Sequence, residues 1–329
     1  MPTIDEIAKK SGVSRSTVSR VLNHHPYVSE TKRFAVMQAI QELNYIPNAI
    51  ARQLRSRSTR VIAILVPDAQ HPFFSQLIQS MSQVLMEKGY KSSIVQTFYR
   101  KDIEIETLQL LTCREVDGVI LTSLENKWED VEVFLSYGPV ILCNEYEENA
   151  PIPIFCYDEY GAAYKAVSYL IQQNHEKIGF CFDVAHSKAQ QLRRKGYIDA
   201  LQEARLPIKE EWMFEGAMKI EDGFRIFQQI RALNDCPTAI FTGNDQVAAG
   251  MIKAAANHGW VVPGDLAVIG YDNQSICQVT TPTITTISIP IMEVGMEAAV
   301  SMIECLSGYH EIKRTVKIFT GHLYIRESC

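Results

Sequence analysis

Short apolar runs alternate with longer amphipathic segments from residue 61 onward. Runs rich in β-branched residues predict strands at 61–67, 92–97, 118–122, 140–144, 178–182, 239–242, 266–271 and 318–324. Apolar residues at helical spacing predict helices at 73–88, 103–113, 161–173, 188–204, 223–233, 246–257 and 292–306. Strands that alternate with helices indicate βαβ units, whose parallel sheets are covered on both faces. The predicted fold class is α/β, with two doubly wound parallel-sheet lobes rather than one very large sheet.

The N-terminal part of the chain follows a different pattern, with no strand signal. Helical spacing predicts three short helices, at 3–11, 14–23 and 29–43. A helix-turn-helix needs a small residue where its helices cross, a residue tolerant of positive φ in the turn and an apolar residue that closes the core. Ala8, Gly12 and Val18 stand at the spacing that this motif requires. The sequence therefore predicts a separate all-α helix-turn-helix head.

Charge is divided unevenly between this head and the rest of the chain. The 329 residues together have a formal net charge of -6. The first 60 residues nevertheless hold 10 Lys and Arg against 4 acidic residues, so they carry +6 and the remainder carries -12. A basic head on an acidic body indicates a nucleic-acid-binding module joined to a unit with another task.

The second predicted helix carries the candidate DNA contacts. Side chains near the start of a recognition helix reach base edges, and outward-facing Arg15, Ser16 and Arg20 are the predicted readers. Ser14 is also suited to cap this helix. Hydroxyl and amide groups suited to phosphates are those of Thr3, Ser14, Thr17, Ser19, Asn23 and Tyr27. The alternative interpretation is a small helical cap whose arginines are simply solvated.

Several classes of protein are disfavoured. The chain begins without the basic and apolar regions of an export signal, and no apolar run approaches the ~20 residues of a membrane span. Cys143, Cys156 and Cys181 follow apolar runs, and no cysteine pair has metal or redox spacing, so we expect buried reduced thiols. Nucleophile motifs and phosphate-binding glycine loops are also missing. We therefore expect a cytoplasmic protein that is not an enzyme, without a metal, a cofactor or membrane contact.

The residues of the head resemble those of a known family. The resemblance rests on Thr3-Ile4, Glu6-Ile7-Ala8, Gly12-Val13-Ser14, the run from Thr17 to Asn23, and Leu43-Asn44-Tyr45-Ile46-Pro47-Asn48 with Ala51 and Leu54. These residues are similar to the head and hinge of the LacI/GalR family of bacterial transcription regulators. Further matches follow in family order at 118–120, 244–250, 268–272 and 285–287. The resemblance implies a body of two lobes like those of periplasmic sugar-binding proteins.

The resemblance also implies a division into domains. Turn-forming residues at 158–161 and 281–290 mark places where the chain could cross between the lobes. The expected domains are the head at 1–46, a hinge at 47–59, an N-terminal lobe of 60–156 plus 291–317 and a C-terminal lobe of 157–290 plus 318–329.

The hinge is long enough for two helical turns, which are too short to be stable alone in water. The resemblance implies that it folds when docked on DNA and that Asn48, Ala51 and Leu54 contact the minor groove. Leu54 would then wedge between base pairs and kink the duplex, as apolar side chains do elsewhere. A plain flexible linker is the alternative.

Ligands of doubly wound folds bind beyond the carboxyl ends of the parallel strands. Polar residues at those ends, suited to sugar hydroxyls, are Asp68, His71, Ser123, Asn144, Asp183, Asn244 and Asp272. Apolar stacking faces are offered by Phe73, Phe74 and Trp260. Similar polar residues also cap helices, and Asp245 is a candidate cap for a helix that begins at Gln246.

The resemblance assigns Arg193, Asn244 and Asp272 to the effector site, where a guanidinium fork and a carboxylate grip vicinal hydroxyls. Asn144 departs from the family pattern, because sugar-responsive members often carry aspartate there. That departure leaves the identity of the ligand open.

The sequence thus predicts an effector-controlled regulator, a repressor of carbohydrate-utilisation genes that binds a pseudo-palindromic operator as a homodimer. A sugar in the interlobe cleft would shift the hinge. The stretch 18–30 resembles regulators of maltose or maltodextrin genes, and the lack of a heptad tail favours a dimer over a tetramer. The alternatives are a solute-binding protein of a transport system and a catabolite regulator that depends on a phosphocarrier protein.

Overall fold

The structure, a computed structural model, describes residues 2–22, 25–45, 58–183, 187–308 and 313–329. Contacts between residues divide the chain into two compact units, Met1–Ser58 and Thr59–Cys329. The first unit contains the predicted head and the second contains the predicted body.

The head consists of α1 (Ile4–Ser11), α2 (Arg15–Leu22) and α3 (Glu30–Glu42). α1 begins in a capping box, in which the Glu6 carboxylate accepts a hydrogen bond from the Thr3 backbone N–H at 2.7 Å. It ends at Gly12, whose φ of 67° is the left-handed conformation that the spacing predicted. The Ser14 hydroxyl accepts from the Thr17 backbone N–H at 3.2 Å and so caps the start of α2.

A small apolar core holds the three helices together. The buried side chains come from all three helices and are those of Ile7, Ala8, Val18, Val21, Val36 and Ala39. Ala8 and Val18 are therefore where the helix-turn-helix spacing predicted them, between the crossing helices. The predicted all-α head is confirmed.

The body contains two sheets. The strands of the first are β1 (Val61–Val66), β2 (Lys91–Gln96), β3 (Gly118–Leu121), β4 (Val140–Cys143), β5 (Ile154–Tyr157) and β11 (Val316–Phe319). Those of the second are β6 (Ile178–Cys181), β7 (Met213–Phe214), β8 (Ala239–Phe241), β9 (Ala267–Tyr271), β10 (Thr285–Ser288) and β12 (His322–Tyr324).

The strand order is β11-β5-β4-β3-β1-β2 in the first sheet and β12-β10-β9-β8-β6-β7 in the second. In the described residues the strand pairs are parallel, except that β12 is antiparallel to β10. The two predicted doubly wound lobes are confirmed.

Helices cover both sheets. They are α4 (Pro72–Glu87), α5 (Lys101–Thr112), α6 (Trp128–Glu132), α7 (Glu159–Gln172), α8 (Lys188–Glu203), α9 (Ile220–Ala232), α10 (Asp245–Asn257) and α11 (Ile291–Leu306). α4 packs against α11 on the first sheet, whereas α7 packs against α8 and α9 against α10 on the second. α9 and α10 approach so closely that a Cβ at Gly250 would lie 2.0 Å from the carbonyl oxygen of Ile220.

One predicted strand is wrong and three strands were not predicted. The run 318–324 is not one strand, because the chain leaves the first sheet after Phe319 and joins the second at His322. The unpredicted strands are β5, β7 and β10, and β10 lies within 281–290, the segment offered as a crossing between the lobes. A local pattern of β-branched residues does not show which sheet supplies the hydrogen-bonding partners.

Cys143, Cys156 and Cys181 are buried, as their apolar neighbours predicted. Within the described ranges, none of the helices combines the length and the apolarity that a membrane crossing requires.

Candidate functional site

The helix α2, which the sequence predicts to be the recognition helix, presents a polar and basic face. Its apolar side is buried in the head core, whereas Arg15, Ser16 and Arg20 are exposed. Nε of Arg15 lies 2.9 Å from Oδ1 of Asp5, and both side chains are mostly exposed. Such an exposed pair is weak, so Arg15 can exchange Asp5 for a phosphate or a base edge at little cost.

The remaining candidate DNA contacts differ in how far their side chains are exposed to solvent. The hydroxyls of Ser14 and Thr17 lie 2.9 Å apart, and Thr17 and Ser19 are half-buried. Thr3 caps α1 and is exposed, while Tyr27 is 86% exposed. The other predicted contacts lie outside the described residues and are Asn23, Asn48, Ala51 and Leu54.

One cavity lies where carboxyl ends of strands from both sheets meet. Its volume, taken as the space open to a water-sized molecule, is about 70 Å³. The structure brings most of the predicted effector residues to its lining, namely His71, Phe73, Phe74, Ser123, Asn144, Arg193, Asn244 and Asp272.

Asp68 and Trp260 are not in this lining. Oδ1 of Asp68 accepts from the backbone N–H of Gln70 at 3.0 Å, and its Oδ2 lies 3.7 Å from Nζ of Lys219. Trp260 packs edge-on against Phe227 in the core of the second lobe, with ring centroids 5.3 Å apart. Trp260 therefore offers no stacking face to the cavity, contrary to the sequence interpretation.

Arg193 is only 6% exposed, and most of its donors are already used. Nε and Nη2 donate to the carboxylate of Glu159, and Nη1 donates to the carbonyl oxygen of Gly243 at 2.9 Å. Burial alone would lower the pKa of Arg193, but the charge of Glu159 outweighs burial and raises it. The carboxylate that the fork holds in this structure is therefore that of Glu159, and two of the five N–H groups of Arg193 make no bond to the described residues.

The carboxyl end of β8 is organised by Asn244, which caps α10. Oδ1 of Asn244 accepts from the backbone N–H of Val247 at 3.0 Å, and Nδ2 donates to the carbonyl of Met218 at 3.0 Å. Asp245 is the first residue of α10, so the alternative that it caps a helix beginning at Gln246 is wrong. Asn244 both caps a helix and faces the cavity.

Asn144 and Asp272 follow β4 and β9 in a backbone conformation that is uncommon for residues other than glycine. Their φ angles are 89° and 95°. Nδ2 of Asn144 donates to the carbonyl of Thr122 at 3.1 Å, and Oδ2 of Asp272 accepts from Nε2 of Gln274 at 2.9 Å. Burial, followed by the nearby charge of Asp245, raises the pKa of Asp272 well above its usual value.

Two buried polar atoms in the lining have no hydrogen-bond partner among the described residues. Nδ1 of His71 accepts from the backbone N–H of Phe73 at 3.3 Å, so the proton is on Nε2, which is unpaired. Burial lowers the pKa of His71 to about 4, which keeps the ring neutral. Oε1 of Gln190 is likewise buried and unpaired. A donor and an acceptor left open in one cavity indicate a site that a ligand completes.

The sequence analysis did not select several residues that also line the cavity, namely Tyr99, Glu125, Glu145, Ser187, Gln190 and Met218. Two hydrogen bonds of 2.8 Å join the lobes there, from the Tyr99 hydroxyl to Oδ2 of Asp183 and from the Ser187 hydroxyl to Oε1 of Glu145. Glu145 directly follows Asn144, so extending each strand end by one residue would have found it.

Two family models match the chain. The model described as "Bacterial regulatory proteins, lacI family" matches residues 3–48. The model described as "Periplasmic binding proteins and sugar binding domain of LacI family" matches residues 59–327, which is most of the chain.

Individual proteins are similar over the whole length. The NTD biosynthesis operon regulator NtdR of Bacillus subtilis (strain 168) is 54% identical, with 100% of both chains covered. The transcriptional repressor PurR of Mannheimia succiniciproducens is 32% identical over 100% of this chain and 98% of its own. A solved complex of the transcriptional regulator CelR with cellobiose superposes with a TM-score of 0.74, at 26% identity and 100% coverage of both chains.

Proposed function

The chain belongs to the LacI family of bacterial regulatory proteins, and on that basis we propose that it is a dimeric repressor of carbohydrate-utilisation genes. As a member, it is a DNA-binding transcription regulator with a sugar-binding effector domain, and not an enzyme. The repressor role is supported by the similarity to PurR, which is named a repressor. Such a function would place the protein in the cytoplasm.

The interlobe cavity carries the proposal. His71 and Gln190 leave one buried donor and one buried acceptor open within it, and a sugar hydroxyl is able to meet either. Phe73 and Phe74 supply apolar surface for a sugar ring. The proposed effector-binding residues are therefore those already placed in the lining, with Asp68 left out.

Control of DNA binding follows from the contacts between the lobes. A ligand that replaces or strengthens the bonds of Tyr99 to Asp183 and of Ser187 to Glu145 favours one arrangement of the lobes over another. The favoured arrangement of the lobes would change the position of the hinge, residues 47–59, and with it the affinity for the operator. The coupling free energy of such a change is typically ~1–3 kcal/mol.

Recognition of the operator is proposed to use two heads on two half-sites. Arg15, Ser16 and Arg20 would read base edges, and Leu54 would wedge into the minor groove from the hinge. The similarity of 18–30 to maltose and maltodextrin regulators supplies an expectation for the operator sequence and does not identify the ligand.

The test is a fluorescence anisotropy titration of the full chain with DNA from its own promoter region and with a scrambled fragment. We expect tighter binding to the promoter fragment, with affinity that falls as salt rises, because the basic head displaces counterions. Equal affinity for both fragments at every salt concentration would contradict the proposal.

A further inference from the structure

We propose that Gln274 is a positioning residue of the interlobe cavity, which fixes from behind the carboxyl group that Asp272 presents to a ligand. Gln274 is not itself part of the lining. The inference rests on the proposed function, because Asp272 is one of the proposed effector-binding residues. It is carried by buried hydrogen bonds that run from the start of α10 through Gln274 to Asp272.

The side chain of Gln274 connects α10 to Asp272. Gln274 is only 2% exposed. Its Nε2 donates to Oδ2 of Asp272 at 2.9 Å, and its Oε1 accepts from Nε2 of Gln246 at 2.6 Å. Because Gln246 occupies the carbonyl oxygen of this amide, the NH₂ group of Gln274 is turned toward Asp272. The orientation of the amide is therefore set by α10 and does not depend on a ligand.

The backbone of Gln274 is anchored to the same helix. Its N–H donates to Oδ2 of Asp245 at 2.7 Å, and Oδ1 of Asp245 accepts from the Thr286 hydroxyl at 2.6 Å. Asp245 is fully buried, and a Cβ at Gly270 would lie 2.0 Å from its Oδ1, so the missing side chain at 270 makes room for this carboxyl group. The first two residues of α10 thus hold both the backbone and the side chain of Gln274.

This anchoring determines which oxygen Asp272 offers to the cavity. The backbone N–H of Asp272 donates to the carbonyl of Ile287 at 2.8 Å, and Gln274 occupies Oδ2. Oδ1 of Asp272 makes no hydrogen bond to the described residues, so it is the oxygen left for a ligand. A carboxyl group that is already oriented binds a ligand without the entropic cost of ordering its side chain.

Gln274 also favours the charged form of Asp272. Burial, followed by the charge of Asp245, raises the pKa of Asp272, whereas the hydrogen bond from Gln274 lowers it. The amide opposes the effect of burial without bringing a charge of its own. The titratable and charged groups that face Asp272 are those of Asp245 on α10, Arg193 on α8, Glu159 on α7, Tyr157 on β5, Tyr271 on β9, and Cys277.

The experiment is urea unfolding of the full chain without ligand, for the wild type and Gln274→Met, at a series of pH values from about 5 to about 9. Methionine keeps the length of the side chain and removes the donor, while the backbone bond to Asp245 remains. A hydrogen bond to a charged carboxylate contributes more than one to a neutral carboxyl group, so the cost of Gln274→Met should rise as Asp272 ionises. Across this range we expect its folding equilibrium constant to fall by a further factor of about ten relative to the wild type, which is about 1.4 kcal/mol.

Gln274→Glu is a second variant with a steeper expected response. Because the folded state raises the pKa of Asp272, the stability that this group contributes is present at low pH and is lost as pH rises. The donor of Gln274 limits that loss. A glutamate at 274 places a second carboxyl group beside Asp272, so stability should fall with rising pH more steeply than in Gln274→Met.

Two controls separate this role from simple packing. In an Asp272→Asn background the group that titrates is gone, so the cost of Gln274→Met should no longer depend on pH. Gln83→Met is the matched control, because Nε2 of Gln83 donates to Oε1 of Glu87 at 3.4 Å on the exposed surface of α4. Its cost should be small and the same at every pH.

A cost of Gln274→Met that is the same at every pH, or a pH-dependent cost that persists in the Asp272→Asn background, would overturn the inference. The measurement uses neither DNA nor a ligand, whereas the proposed function fails only if the anisotropy titration finds equal affinity for both DNA fragments. The two failures are therefore distinguishable.

Discussion

Arg193 and Glu159 form a buried ion pair that joins α8 to α7, with Nε and Nη2 of the guanidinium donating to both carboxylate oxygens. The Tyr271 hydroxyl donates to the same carboxylate at 2.6 Å, and the guanidinium lies over the Tyr271 ring at 3.7 Å from its centroid. These contacts hold Arg193 at the wall of the cavity. If its two remaining N–H groups bind a ligand, as we propose, the side chain is already ordered before the ligand arrives.

Removing one partner of this pair should destabilise the body. Glu159→Gln leaves a buried guanidinium without its charge partner, and we expect the free energy of unfolding to fall by about 3 kcal/mol. Urea unfolding followed by tryptophan fluorescence measures this loss, because Trp128, Trp212 and Trp260 all lie in the body. Asp199→Asn is the control, since the solvent-exposed pair of Lys195 with Asp199 should contribute little to stability. Equal effects of the two substitutions would contradict the structural role of Glu159.

The substitution His71→Asn distinguishes two roles of His71, as the N-cap of α4 and as a proposed ligand contact. Asparagine is a good N-cap residue, so the start of α4 should be preserved and the free energy of unfolding should change by less than about 1 kcal/mol. The variant lacks the donor that Nε2 of His71 presents to the cavity. Calorimetric titration with a sugar that binds the wild-type protein should show about tenfold weaker binding to this variant. Unchanged affinity in the folded variant would remove His71 from the binding site.

Glu145 should make the stability of the ligand-free body depend on pH. The folded state raises its pKa from 4.5 to about 7, so between these values the folded protein holds a proton that the unfolded chain releases. Stability from this group is therefore present at the lower end of that window and is lost as pH rises through it. Glu145→Gln should gain up to about 3 kcal/mol relative to the wild type between pH 4.5 and 7.5. Parallel stability curves for the two proteins would show that Glu145 is not perturbed.

His71 should make the stability of the body depend on pH in the direction opposite to that of Glu145. Burial lowers its pKa from 6.5 to about 4, so in this window the unfolded chain holds more protons than the folded protein. Its contribution to stability is present above pH 6.5 and is lost as pH falls toward 4. The His71→Asn variant should therefore lose stability less steeply than the wild type on acidification. Urea unfolding at a series of pH values measures both slopes, and an identical acid limb in the two proteins would contradict the burial of a neutral ring.

Arg20→Ala should weaken binding to the operator by about 1–3 kcal/mol and reduce discrimination against a scrambled fragment. Arg20 is exposed on α2, the proposed recognition helix, whose side chains would reach base edges in the major groove. Lys10→Ala removes the same charge from the head, but Nζ of Lys10 is already 2.8 Å from Oε2 of Glu42. We expect this control to reduce affinity slightly and equally for both fragments. The same loss of discrimination in both variants would assign Arg20 to general electrostatics.

The sequence was sufficient for the head and for the alternation of strands and helices, because both depend on residues that are close together in the chain. Gly12 and Ser14, for example, act on the turn and helix beside them. The ion pair of Arg193 with Glu159 was not predictable, since its partners lie on different helices and a charged residue carries no local sign of burial. Glu145 follows a predicted strand end by one residue and could have been found there, but its burial was not predictable, because it depends on the second lobe that brings Ser187 to it.

The most direct test of the account is the dissociation constant of the full chain for its promoter fragment, measured by anisotropy with and without a saturating concentration of a sugar shown to bind the protein. If the cavity controls the head, the sugar should change that constant at least about fivefold and leave binding to scrambled DNA nearly unchanged. The His71→Asn variant should need more sugar for the same change. A dissociation constant that does not respond to a sugar shown to bind the same protein would contradict the coupling of cavity to head.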